Sequence, residues 1–183
     1  AIAASGVTTI TGTAAAIVAA YDNSELESID GDFDATVTGT AAATDLTDIA
    51  NETSGTIAAS GVTTVTGTAS AIVAAYDNSE LESIDGDFDA TVTGTATEDN
   101  LTAINSATSG AIDASGVTAI IAGTASDVVA LINDGDVTLA EDVAVTVTGT
   151  AAATDLTAIA TATSGAIAAS GVTTITGTAA AIV

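Results

Sequence analysis

Apolar and polar positions near the start of the chain change from a strand pattern to a helix pattern. Residues 7–11 are β-branched, and β-branched side chains fit the pleated surface of a strand. Gly12 follows, and Thr13 is the predicted N-cap of a helix over Ala14–Tyr21, which is rich in alanine. The apolar stripe of that helix is formed by Ile17, Val18 and Tyr21.

The following segment repeats this order with other residues. A predicted strand over 35–38 leads through Gly39 and Thr40 into a predicted helix over 41–51. Ser54 and Gly55 are expected to end that helix as a C-terminal cap. Short segments around Ile29 and Ile57 predict a second small strand in each half. The shared face of this helix comprises Ala42, Leu46, Ile49 and Ala50.

The chain is a tandem repeat with a period of 55 residues. Residues 1–55, 56–110 and 111–165 are three copies, and 166–183 begins a fourth. Each copy divides again into two half-repeats of about 27 residues, a period typical of solenoids and other arrays. The half-repeats are marked by the glycines of a Thr-Gly-Thr motif and its variants, at Gly12, Gly39, Gly67, Gly94, Gly123, Gly149 and Gly177.

The first and last 18 residues are the same string, AIAASGVTTITGTAAAIV. We therefore expect the chain to be a fragment of a longer protein that repeats every 165 residues.

These patterns predict an α/β solenoid, because one strand and one short helix cannot bury their own apolar face whereas a stack of them can. The alternative is an all-β solenoid, since threonine and valine are abundant and the alanine runs are short. The predicted core comprises Ile10, Ile17, Val18, Val37, Leu46, Ile49, Val65, Ile72, Val92, Leu101, Ile104, Val147, Leu156 and Ile159.

Charge excludes several classes of partner. The 183 residues contain no Lys, Arg or His and 24 carboxylates, for a formal charge of −24. Nucleic-acid binding needs cationic side chains, so we expect no nucleic-acid partner. No apolar run reaches the length of a membrane span, so we expect no membrane insertion. Mean hydropathy is +0.56, which argues against disorder.

An acidic segment over residues 21–34 recurs at 76–89 and is shortened in the third copy. Calcium prefers six to eight oxygen ligands, often from carboxylates spaced two apart around a glycine turn. Two interpretations stay open: a calcium site, and a solvated acidic edge that keeps the protein soluble. The candidate metal ligands are Asp30, Asp32, Asp34, Asp85, Asp87, Asp89, Asp134 and Asp136.

A Thr-x-Thr pattern recurs along the predicted strands. Alternate side chains of a strand share a face, so stacked strands would align these hydroxyls into an array of the kind that ice-binding solenoids use. The alternative is plain cross-strand threonine pairing. Residues 120–122 interrupt the pattern. The pairs are Thr9/Thr11, Thr36/Thr38, Thr64/Thr66, Thr91/Thr93, Thr146/Thr148 and Thr174/Thr176.

Catalytic chemistry is not expected. Without His, Cys, Lys or Arg only a carboxylate pair could act, and repeated, near-identical acidic segments do not make one tuned pair. We therefore expect no enzyme activity and no small-molecule substrate.

The strings SGAIAASGVTTITGTAAAIV and VTVTGTAAATDLTAIATATSG resemble repeats of giant acidic cell-surface proteins of marine bacteria, cyanobacteria in particular. The resemblance covers essentially the whole chain and implies a secreted surface layer, fibre or adhesin stalk. We expect an extracellular structural segment that assembles by repeat stacking, with calcium-linked adhesion and ice binding as alternatives. No functional residue carries over from the family.

Overall fold

The computed structural model of the protein describes residues 2–26, 29–82, 84–121 and 123–182. Strands and helices alternate along it. The elements in chain order are β1 (Thr9–Gly12), α1 (Ala14–Tyr21), β2 (Asp34–Ala42), α2 (Ala43–Glu52), β3 (Ile57–Gly67), α3 (Ala69–Tyr76), β4 (Leu81–Glu82), β5 (Asp89–Thr97), α4 (Glu98–Ala107), β6 (Ile112–Ile121), α5 (Ala125–Ile132), β7 (Val137–Leu139), β8 (Ala144–Ala152), α6 (Ala153–Ala162), β9 (Ile167–Thr176) and α7 (Ala179–Ile182).

The chain forms two compact units. The first contains Ala1–Gly67, Ala71–Ala90 and Ala107–Gly110, and the second contains Thr68–Ser70, Thr91–Ser106 and Ala111–Val183. Within the first unit the strand order is β1-β2-β3, with β4 beside β3. Within the second it is β5-β6-β8-β9, with β7 beside β6. The strand pairs run parallel. The fold is α/β, with parallel strands alternating with helices, as the sequence predicts.

The first predicted helix is confirmed. Helix α1 spans Ala14–Tyr21, and the hydroxyl of its N-cap, Thr13, accepts a hydrogen bond from the Ala16 N–H at 3.3 Å. The corresponding helix of the third copy, α5, begins in the same way. There the hydroxyl of Thr124 accepts from the Asp127 N–H at 3.4 Å. Each threonine therefore gives a backbone N–H of the first helical turn a side-chain acceptor, as N-cap residues do.

The predicted turn at Gly39 is wrong. Strand β2 runs straight through Gly39 and Thr40 to Ala42, and α2 begins only at Ala43. Gly39 has a φ of +75°, in the left-handed region that glycine adopts at little cost, and the register between β2 and β3 shifts immediately after it. The glycine therefore marks an irregularity within a continuing strand. Gly94 and Gly149, with φ of +81° and +72°, repeat it.

The separate small strand predicted around Ile57 is also wrong, because this segment belongs to a longer strand. Ile57 is the first residue of β3, an 11-residue strand that continues to Gly67. Its inward positions are first two and then three residues apart, because the register with β2 shifts twice along it. Ile29, at the other predicted small strand, lies outside any strand. The buried side chains of β3 are Ile57, Ala59, Val62 and Val65.

Eleven of the fourteen predicted core residues are buried. They lie on strands and on helices, in the first and in the second half-repeats of the copies: Ile17, Val37, Leu46, Ile49, Val65, Ile72, Val92, Leu101, Ile104, Val147 and Ile159. The prediction is wrong for Ile10, Val18 and Leu156, which are half-buried. Ile10 lies on β1, the first strand in the order, and Val18 lies about 100° around the helix from the buried Ile17. Leu156 borders an open groove beside α7, which has only four residues.

Two phenylalanines belong to the core although the sequence analysis placed them in the acidic segments. Phe33 and Phe88 are 1% and 2% exposed and are the largest fully buried side chains. A strand-like alternation begins at Phe33, since Phe33, Ala35 and Val37 are buried while Asp34 between them is exposed. This alternation is the signal in the sequence that identifies the phenylalanine as a core residue.

Replacing a fully buried leucine tests the core. Leu101→Ala in α4 should lower the free energy of unfolding by about 2–5 kcal/mol, because it removes buried apolar atoms and leaves a cavity. Leu156 occupies the same position in α6 but is half-buried, so Leu156→Ala is a matched control with a smaller expected loss. Denaturant unfolding of both variants measures the difference. Equal losses would contradict the assignment of Leu101 to the core.

Candidate functional site: acidic turns and a Thr-Ser-Gly motif

The acidic turn of the first copy precedes β2. Asp30, Asp32 and Asp34 are all exposed, and they flank the buried Phe33. One Asp34 carboxylate oxygen accepts a hydrogen bond from the Thr56 N–H at 2.8 Å. This carboxylate therefore helps to hold the start of β2 beside the start of β3. Glu27 and Ser28 of the predicted acidic segment lie outside the described residues.

The second copy places its aspartates in the same way, directly before β5, whereas Asp134 and Asp136 of the third copy lie elsewhere, between α5 and β7. Asp85, Asp87 and Asp89 are exposed. In the third copy Asp136 is exposed and Asp134 is half-buried. One carboxylate oxygen of Asp134 accepts from the Asp136 N–H at 3.0 Å, and the other accepts from the Asn105 side-chain amide at 2.7 Å. Asp134 thus has a structural role in which both of its oxygens accept hydrogen bonds from the protein.

No metal-binding group is formed by the acidic turns as they stand. Over residues 2–26, 29–82, 84–121 and 123–182, no three or more acidic side chains converge closely enough to share a metal ion. Calcium binding therefore stays a prediction from the spacing of the aspartates.

A Thr-Ser-Gly motif follows α2 and links it to the acidic turn. The hydroxyl of Thr53 donates to the Phe33 carbonyl at 2.5 Å and accepts from the Gly55 N–H at 3.0 Å. The Ser54 N–H and hydroxyl both donate to the Gly31 carbonyl, at 2.9 and 3.1 Å. Three of these hydrogen bonds fix the end of the helix to the preceding acidic turn, and the fourth closes the motif on itself.

The close approach of another backbone segment requires a glycine at position 55. A Cβ on Gly55 would lie 2.6 Å from the carbonyl carbon of Phe33, well inside van der Waals contact. The expected left-handed cap is wrong, because Gly55 does not have a positive φ and the C-cap residue, Thr53, is extended. Gly55 instead lies where the backbone that follows α2 packs directly against the backbone of Phe33.

The motif forms in all three copies. The Thr108 hydroxyl donates to the Phe88 carbonyl at 2.5 Å and accepts from the Gly110 N–H, and the Ser109 hydroxyl donates to the Gly86 carbonyl. The Thr163 hydroxyl donates to the Val143 carbonyl at 2.6 Å and accepts from the Gly165 N–H, and the Ser164 hydroxyl donates to the Glu141 carbonyl. Thr53, Thr108 and Thr163 are the buried polar residues of the described chain.

The sequence analysis missed the role of this motif. Its signal is a Thr-Ser-Gly triplet that recurs with the 55-residue period. The pattern identifies a helix end, but the acceptors lie 20 residues or more before it and become neighbours only in the folded chain.

The acidic turn of the first copy also carries an aromatic pair. The rings of Tyr21 and Phe33 are tilted, with centroids 6.3 Å apart. Burial, with the negative charges of Asp48, Asp22, Glu52 and Asp45, raises the pKa of Tyr21 to about 12. Burial raises the pKa of Tyr76 in the second copy as well. Both tyrosines are therefore neutral under ordinary conditions.

The threonine pairs do not form continuous rows. Thr11 lies beside Thr36, but Thr9 lies beside Asp34, Thr36 beside Ala58 and Thr38 beside Gly61. The register shifts between β2 and β3 bring Thr64 beside Thr40 instead. The register between β8 and β9 repeats these mismatches. The predicted alignment is wrong, which removes the flat array on which the ice-binding alternative depends. Ala122, in the predicted interruption, lies outside the described residues.

Comparisons with known protein families, with curated proteins and with solved structures find no match for this chain. None of the helices in the described part is long and apolar enough to cross a membrane.

Substitutions in the Thr-Ser-Gly motif of the second copy test its contribution. Thr108→Val should lower the free energy of unfolding by about 1–3 kcal/mol, because the Phe88 carbonyl and the Gly110 N–H lose a buried partner. Thr108→Ser keeps the hydroxyl and should recover most of the loss. Gly110→Ala should destabilise through overlap with the Phe88 carbonyl, whereas Gly135→Ala, with open space around it, is the control. Denaturant unfolding of all four variants under the same conditions measures these differences. A Thr108→Val variant as stable as the unsubstituted chain would contradict a stabilising role of the motif.

Calcium binding has a direct thermal test. If the aspartate spacing predicts a site correctly, millimolar calcium raises the melting temperature more than sodium at equal ionic strength, because a bound ion stabilises only the folded state. Asp32→Asn together with Asp87→Asn should remove most of the extra gain. Equal effects of calcium and sodium would identify the acidic turns as a solvated edge.

Proposed function

We propose that this chain is a structural repeat segment of an extracellular filament, surface layer or adhesin stalk, in which half-repeats stack into an α/β solenoid. Its partners are neighbouring repeats or further copies of itself. The role is mechanical, and no catalytic step is assigned to it. The proposal places the chain with the giant acidic cell-surface proteins whose repeats it resembles.

The observation that carries the proposal is how burial depends on neighbouring half-repeats. Ile120 on β6, between β5 and β8, is fully buried, whereas Ile175 at the same position on β9, which is last in the order, is 49% exposed. In the first unit Val37 on β2, between β1 and β3, is fully buried, whereas Ile10 on β1 is only half-buried. A half-repeat therefore needs a neighbour on each side, as stacked repeats do.

The distribution of charge supports an exposed, extended role. Among the described residues every Asp and Glu side chain is exposed or half-buried, and the chain has no cationic side chain to pair with them. Such a surface repels nucleic acids and anionic membranes. Salt screens its self-repulsion over about 10 Å at 0.1 M, so a saline exterior suits it.

A truncation series tests the stacking on which the proposal rests. A fragment of one copy, residues 1–55, should be mostly unfolded, because its end faces lack neighbours. The free energy of unfolding should rise from one copy to two and to three. Circular dichroism with denaturant unfolding measures each fragment. A single copy that melts as sharply and at the same temperature as the full chain would indicate independent globular domains.

The location is tested on native material. Antibodies raised against this chain should label long, uniform fibres or a regular layer outside the cell in negative-stain microscopy. Labelling confined to the cell interior would contradict the extracellular assignment, whatever the truncation series shows.

A further inference from the structure

The third copy contains an apolar cavity that opens to the surface. Its volume is about 180 Å³. The cavity lies entirely within the second unit, between β6, the end of α5, β7 and β8. Most of its wall is aliphatic, and the residues that define its interior are Ile120, Ile132, Val137, Leu139, Val143 and Val145.

Two aromatic positions of the earlier copies are aliphatic here. Val143 corresponds to Phe33 and Phe88, since the Thr-Ser-Gly motif bonds to the carbonyl of all three. Ile132 is the last residue of α5, as Tyr21 is of α1, and Tyr76 ends α3. In the first copy the two rings lie against each other at 6.3 Å. The third copy replaces this ring pair with Ile132 and Val143, and both line the cavity.

The polar atoms at the cavity wall already have partners. The Thr163 hydroxyl donates to the Val143 carbonyl and accepts from the Gly165 N–H. The Glu141 carbonyl accepts from both the N–H and the hydroxyl of Ser164. A ligand is therefore not needed to satisfy any of these groups. Glu141, which also lines the cavity, has an exposed side chain.

We propose that this cavity is a binding site for one small, uncharged apolar ring of the size of benzene or toluene. An apolar cavity of about 150 Å³ stays free of water and binds benzene, so the volume here suits a ring of that size. The ligand takes the place that aromatic side chains hold in the other copies. A cavity lined in part by Glu141, in a chain of charge −24, disfavours a ring that carries a carboxylate. This binding role is separate from the mechanical role and does not depend on it.

Toluene and benzoate are the probes, used with the full chain. Toluene at ten times its dissociation constant should lower the equilibrium constant for unfolding about elevenfold, since it binds only the folded state. Methyl resonances of Ile132 and Val143 should shift in NMR spectra as toluene is added. Benzoate at the same concentration should change neither. Stabilisation without shifts at these two residues, or shifts caused equally by benzoate, would overturn the site.

A variant whose cavity is filled by aromatic side chains gives the most direct test. Ile132→Tyr with Val143→Phe restores the aromatic pair of the other copies and should abolish the effect of toluene. Ile175→Tyr, at an exposed isoleucine that does not line the cavity, adds the same ring elsewhere and should leave toluene binding unchanged. If the double variant does not fold, Val143→Leu narrows the cavity and should raise the dissociation constant at least several-fold. Toluene binding that survives in the variant that folds would overturn the proposal.

Discussion

The structure depends on one constraint. A half-repeat has a single apolar face, and its own strand and helix are too small to cover that face. A half-repeat has one main strand of 4 to 11 residues and a helix of 4 to 10, which by themselves cannot enclose side chains as large as Leu46 or Phe33. Ile175 on β9, the last strand in the order, is 49% exposed, whereas Ile120 on β6, with a strand on each side, is fully buried. Parallel strand pairing follows, because each helix crosses back over the sheet before the next strand begins.

Polar contacts then determine how neighbouring segments fit together. The buried apolar side chains are mostly alanine, valine and isoleucine, and a one-residue shift along a strand would move them to the opposite face. The buried hydroxyls of Thr53, Thr108 and Thr163 do not tolerate such shifts, since each joins a particular carbonyl to a particular N–H. The carboxylates stay outside, where water solvates them. The chain therefore uses neutral hydroxyls for its buried polar contacts and keeps its charges for the surface.

Local signals in the sequence predict local structure well and long-range backbone contacts poorly. Helix α1 and most of the core follow from alanine content, capping and apolar spacing, all of which act within a few residues. The roles of Gly39 and Gly55 are wrongly predicted because the sequence does not distinguish a glycine in a turn from one in an irregular strand or at a close backbone approach. The threonine rows fail for a related reason, since register shifts between β2 and β3 are set by pairing, which one strand alone does not encode.

The same hydrogen bonds explain how one copy can differ from the others without losing its fold. The threonine of each motif donates to a backbone carbonyl, so the side chain of the accepting residue is free to change. Phe33 and Phe88 fill the space beneath their turns with a ring, whereas Val143 keeps the same hydrogen bond and leaves that space less filled. Because the fixed contacts are made by the backbone, variation between copies falls on the side chains that fill the interior. A repeat protein built in this way can acquire a cavity in one copy while these backbone contacts stay unchanged.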